Sequence, residues 1–159
     1  ARRRPVPRAA IAAAVGLSML PDLAHLAPVA AWSLAGDGEA RALVDYALAS
    51  PGGEPAMPTW VTLLAHHLHC VFHSAPIAAA VTTLLWPWRG IAWLPLAGWW
   101  LHILIDVFTH SATFYPVPVL YPFTDRGFDG LAWNTPWFLA ANYVALALAW
   151  GGSLGRVRP

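Results

Sequence analysis

Apolar residues fall into four long runs, about 9–34, 59–86, 90–113 and 131–150, separated by short polar or Gly/Pro-containing segments. Each run approaches the roughly 20 residues a helix needs to cross the hydrocarbon core of a bilayer. Open sheets cannot cross lipid, so helices are the expected form. The pattern predicts an all-α, single-domain protein over 1–159, an integral membrane bundle of about four transmembrane helices. Prolines punctuate three of the runs: Pro21 and Pro28 in the first, Pro76 in the second, Pro95 in the third. An interior proline removes a backbone hydrogen bond and clashes with the preceding turn. The first helix is therefore expected to be kinked or broken at Pro21-Asp22, its second half re-entrant or interfacial. Asn134-Thr135-Pro136 is a helix start signal for the fourth run. Segment 35–58 reads as an acidic loop with room for a short helix from Arg41 to Leu48.

Composition strengthens the membrane reading. Charged residues make up 11% of the chain and hydrophobic residues 58%, whereas soluble domains carry about 25% charged residues. Ten tryptophans suit a protein with aromatic side chains at a membrane interface. The Trp86/Trp88 and Trp99/Trp100 pairs are expected at the interface or against lipid. A net charge of +1 gives no electrostatic case for a nucleic-acid partner, and the oligomeric state is left open. A single cysteine, Cys70, excludes an internal disulfide and a Cys-rich zinc site.

Arginines orient the spans, since basic residues favour cytoplasmic loops. Arg2, Arg3, Arg4 and Arg8, then Arg89, then Arg156 and Arg158 share one side if there are four spans. The other side holds Asp37, Glu39, Asp45, Glu54, Asp125 and Asp129, with Arg41 and Arg126 its only basic residues. This predicts a multi-pass protein of the cell (inner) membrane with both termini cytoplasmic. An arginine cluster before an apolar run also resembles a signal peptide. Asp22 and His25 sit where such a peptide would still be apolar, so a retained helix is expected.

Candidate chemistry lies in the histidines, six of whose seven members fall within 66–73 and 102–110. In the third run His102, Asp106 and His110 recur every four residues, which keeps them on one helical face. In the second, His66, His69 and His73 define another face, with His67 off it. The first adds Asp22 and His25; Asp22 could equally cap a helix beginning after Pro21. The four-span topology carries all three groups to the non-cytoplasmic side. Ionisable groups inside a span are costly and mark function by default. Imidazole with carboxylate suits a divalent metal, zinc first, then iron or manganese, as one ion or as two bridged by Asp106. A metal-bound imidazole needs a partner for its other nitrogen; Ser74, Thr109 and Ser111 are the candidates. The segment YPVPVLYPF, 115–123, reads as a stiff loop, either a lid on the site or a plain connector.

The segments MLPDLAHL, HHLHCVFHSAP and GWWLHILIDVFTHSATFYPVPVLYPF together resemble the membrane-bound metal-dependent hydrolase family, of the LexA-regulated inner-membrane type, over residues 12–125. The chain departs from the family pattern at Ala24, where an acid is usual, and at Phe72, where a threonine is usual. A looser similarity, in H-x-x-x-D alone, connects to zinc-dependent phospholipase C enzymes. The resemblance implies Asp22, His73, His102 and Asp106 as the catalytic metal ligands. His25, His66, His69 and His110 are expected as further ligands or supporting groups. The expected activity is metal-assisted hydrolysis of a phosphoester or ester of a lipid or lipid-linked substrate at the bilayer surface. The alternative is a non-enzymatic membrane protein that binds or conducts metal, haem or protons through the same cluster; a third reading makes the histidines mere packing groups in a structural subunit. A conduction path should run through the whole bilayer, and the cytoplasmic half of these spans lacks ionisable groups.

Overall fold

The computed structural model describes residues 6–35, 39 and 41–155. The arginines at 2–4, 156 and 158, and Asp37, lie outside the described residues, so part of the charge pattern used for orientation does too. The described chain is all-helical and contains six α-helices: α1 Arg8–Leu34, α2 Ala42–Leu48, α3 Thr59–Phe72, α4 Ala75–Leu84, α5 Arg89–Thr109 and α6 Pro136–Gly155. Two segments, Arg8–Leu34 and Ala92–Thr109, are long and apolar enough to cross a membrane. Only 6% and 17% of their apolar windows are buried. The core helix of a water-soluble protein would be mostly covered.

The first helix runs unbroken through both prolines, contrary to the kink or re-entrant turn expected at Pro21. Its packing explains the tolerance. Pro21, Pro28 and Val29 are buried, and α1 lies between α5 and α3 as the central helix of the group. Tertiary contacts on both sides hold the helical path despite the missing backbone donors. Asp22 therefore caps nothing; it projects from the middle of a continuous helix.

The second apolar run, expected as one helix over 59–86, is instead two. Its break falls at His73-Ser74. Ser74 is extended (φ −88°, ψ 121°) and its hydroxyl accepts a 3.1 Å hydrogen bond from the Ile77 amide. Pro76 occupies the first turn of α4, where a missing N–H costs nothing. Ser-x-Pro is thus a legible helix start inside an apolar run. The Ser74 hydroxyl also donates to the Tyr121 carbonyl, and the Ala75 amide donates to Val119 O at 2.9 Å. The proline-rich loop 115–123 thus docks on the break through Val119 and Tyr121, and its Val117 is buried. Ser74→Ala should lower unfolding stability by about 1 kcal/mol through the lost cap, with a further loss from the Tyr121 anchor. Denaturant unfolding of the detergent-solubilised protein measures it, and an unchanged midpoint would remove the capping role.

Two apolar clusters flank the break. Ala78, Leu96, Trp99 and Ile103 pack together with Leu17 and Phe72 on one side. Val29, Val61 and Ala65 pack with Trp32 and Tyr46 on the other. The fourth run begins at Pro136, as its start signal predicts. Among the described residues α6 packs against none of the other helices, so it is not a member of the packed group. Trp137, Tyr143, Val144, Leu146, Leu148 and Trp150 are all exposed. A helix apolar on every side specifies no single packing stripe.

Candidate metal centre

Asp22, His73, His102 and Asp106 converge between the two apolar clusters, and one donor atom from each lies within 4.8 Å of every other. The group draws Asp22 from the middle of α1, His73 from the α3–α4 break, and His102 with Asp106 from one face of α5. A spacing of four places the last two a single turn apart, with His102 Nε2 3.1 Å from Asp106 Oδ2. His73 Nε2 lies 3.1 Å from His102 Nε2 and 3.2 Å from Asp106 Oδ2. Asp22 Oδ1 stands 3.7 Å from His73 Nε2 and 3.8 Å from His102 Nε2.

These separations test the fit to a cation. Ligand bonds of 2.0–2.2 Å in a tetrahedron give donor–donor edges of about 3.3–3.6 Å, and the five distances bracket that range. His73 meets a second requirement. Its Nδ1–H donates to the His69 carbonyl at 2.8 Å, which fixes the ring and leaves Nε2 facing the other three donors. The backbone performs the service expected of Ser74, Thr109 or Ser111. Ser74 caps α4, Thr109 bonds Ile105 O, and Ser111 meets Thr113. His73 is 1% exposed and Asp106 9%. A buried imidazole–carboxylate pair needs a charged partner or a proton to offset its desolvation. The four residues can therefore hold a metal ion.

The remaining histidines do not join them. Among the described residues this is the one group of three or more metal-type side chains with converging donors, so the two-ion arrangement finds no second set. His69 lies against His73, ring centroids 4.3 Å apart and planes tilted by 33°, and is not among the converging donors. His25 meets His69 edge-on at 5.6 Å, and its buried Nδ1 has no hydrogen-bond partner. His66 Nε2 is 3.5 Å from Cys70 Sγ. His110 follows the last residue of α5, and its Nδ1 donates to the Asp106 carbonyl at 3.0 Å. Helical periodicity put these rings on the right faces but could not set their depth or tilt. All four nevertheless line the cavity into which the donor group opens, about 1120 Å³ in volume. His67, off the face, pairs with the Tyr121 hydroxyl at 3.1 Å instead.

Trp99 was expected at the interface or against lipid and is instead 6% exposed. Its indole N–H donates to the Phe72 carbonyl at 2.7 Å, satisfying an acceptor that the end of α3 leaves free. Trp100 likewise turns inward, donating to Thr82 Oγ1 at 2.9 Å. The signal lay in spacing: Trp99 is three residues before His102 and seven before Asp106, on their face of α5. Trp86 and Trp88 are exposed, and the Arg89 guanidinium lies over the Trp86 ring. Arg126 does not line the cavity.

Comparison of the chain with protein-family models, with curated proteins and with solved structures found no match.

Proposed function

We propose that the chain is a membrane-embedded, metal-dependent hydrolase of the inner-membrane family it resembles, acting on a phosphoester or ester of a lipid or lipid-linked substrate. The observation that carries this reading is the convergence of two imidazoles and two carboxylates from three separate parts of the chain, with Asp22, His73 and Asp106 of the four on the wall of one large cavity. In the proposed topology α1, α3 with α4, α5 and α6 form four spans and both termini are cytoplasmic. Asp106 then lies about 26 Å along α5 from Arg89 and His102 about 20 Å, which puts the donors in the outer half of a roughly 30 Å core. Zinc is the first choice of metal, with iron or manganese next. A cation held there would lower the pKa of a bound water and polarise the scissile bond. His73 and His102 orient the site through Nε2; Asp22 and Asp106 supply the negative charge that retains the cation. His25, His66, His69 and His110 are the groups available in the cavity to accept and return a proton. Ile105 and Phe138, which line the same cavity, give an acyl chain an apolar wall.

A binding or conducting protein is the competing reading. Against it, Ile103, Trp99, Leu96 and Leu17, which pack on the Arg89 side of the donor group, carry no ionisable side chain. None of these four side chains passes a proton or an ion onward.

Elemental analysis of detergent-purified protein should find about one equivalent of a transition metal per chain. Phospholipid hydrolysis in mixed micelles should stop with EDTA and return with zinc. Metal-free protein would remove the hydrolase reading; bound metal without turnover on any lipid ester would favour the binding protein.

A further inference from the structure

The cavity is selective in its charges. Its lining contains no Arg and no Lys among the described residues, and its carboxylates are Asp22, Asp106 and Glu54. The first two belong to the donor group. Glu54 does not; it sits on the segment between α2 and α3, at the end of the molecule where α3 starts and α5 finishes. The Tyr115 hydroxyl donates to Glu54 Oε1 at 2.8 Å and also lies 3.2 Å from Ala49 O. No basic side chain pairs with Glu54 among the described residues; the one Arg–carboxylate pair there is Arg41–Asp45.

Aromatic rings line the same cavity, beginning with Tyr115 itself. Tyr46, Phe114, Tyr115 and Trp133 all line it, with Phe114 5.4 Å from Tyr115 and 5.9 Å from Trp133 between ring centroids. Burial first, and the Glu54 carboxylate second, push the Tyr46 and Tyr115 phenols up from their ordinary range. Both phenols therefore stay neutral. A carboxylate in an aromatic-lined cavity, with no basic partner among the described residues, is chemically matched to an alkylammonium group. A glycerol headgroup gains nothing from such a wall, and a second anionic group would be repelled by it.

We infer that this end of the cavity is a headgroup subsite for the ammonium of a zwitterionic phospholipid, ethanolamine- or choline-type, with Glu54 as counter-charge and Tyr46, Tyr115 and Trp133 as the ring wall. Its phosphodiester would then point toward the donor group. That the bound lipid is a substrate rests on the hydrolase reading; the headgroup preference does not.

Calorimetric titration of the full chain in detergent separates the two. Dihexanoyl phosphatidylcholine should bind at least tenfold more tightly than dihexanoyl phosphatidylglycerol. Glu54→Gln keeps an acceptor for the Tyr115 hydroxyl and removes the charge. It should weaken the choline lipid about tenfold, leave the glycerol lipid unchanged, and preserve the unfolding midpoint. Glu54→Asp should restore most of the preference. Free choline should bind more weakly than the choline lipid; equal affinity would make a soluble amine the ligand and overturn the lipid assignment. Equal binding of the two lipids by the unaltered protein, or an undiminished preference in Glu54→Gln, would overturn the subsite. Because turnover is not read, an inactive protein with a clear headgroup preference would refute the hydrolase reading and leave the subsite standing.

Discussion

Asp106→Ala should reduce bound metal from about one equivalent to background and abolish any hydrolysis that depends on it. The carboxylate touches both imidazoles of the donor group, at 3.2 Å from His73 and 3.1 Å from His102. Removing it deletes a ligand and leaves two imidazole nitrogens 3.1 Å apart with one fewer negative charge beside them. Disturbing a group that merely supports a ligand typically costs 10–100-fold in metal affinity, so deleting the ligand should exceed that. His110→Ala provides the contrast. Its ring is held by the Asp106 carbonyl rather than by the donor group, and metal content should persist. Elemental analysis of both variants decides the matter: full stoichiometry in Asp106→Ala would reject the ligand assignment.

Gly98→Ala should force α1 away from α5 and destabilise the protein. A Cβ built at Gly98 would lie 2.3 Å from the Ala14 carbonyl oxygen. That atom is main chain on the neighbouring helix, so no side chain can turn aside. α1 and α5 must separate, at a cost above the roughly 1–3 kcal/mol of ordinary overpacking. His102 is one turn further along α5, and α1 carries Asp22, so the displacement also opens the donor group. The expected result is a lower unfolding midpoint together with weaker metal retention. Gly16→Ala is the control, because nothing lies within 4 Å of a Cβ there; it should be neutral or stabilising through helix propensity. Equal behaviour of the two variants would show that the close approach is not needed.

Which features could be read from the chain follows from the range over which each is encoded. Helical runs are local, and the apolar stretches mark where α1, α3 with α4, α5 and α6 lie, though not that the second run is two helices. The His102–Asp106 pairing is local too, since four residues make one turn. Asp22 and His73 were singled out through the resemblance, for nothing in their spacing says that residue 22 meets residue 102. The continuity of α1 was hidden because proline reports only the backbone bond it removes, not the packing that offsets the loss. The helix break was written in Ser74 and Pro76 but masked by the unbroken hydrophobicity around it. Separating His73 from His69, packed against it four residues away, needs ring orientation, which periodicity does not carry. Glu54 and Tyr115 meet across 61 positions of chain, beyond any local pattern.

The donor group also joins segments far apart in sequence, since Asp22 and Asp106 are 84 positions from each other (106 minus 22). An unfolded chain has no such constellation, so an ion that prefers the assembled arrangement stabilises it by mass action, increasingly as its free concentration rises above the dissociation constant. The cation would then serve as a clasp on helix docking as much as a reagent, and starving cells of metal would show first as a protein that fails to accumulate.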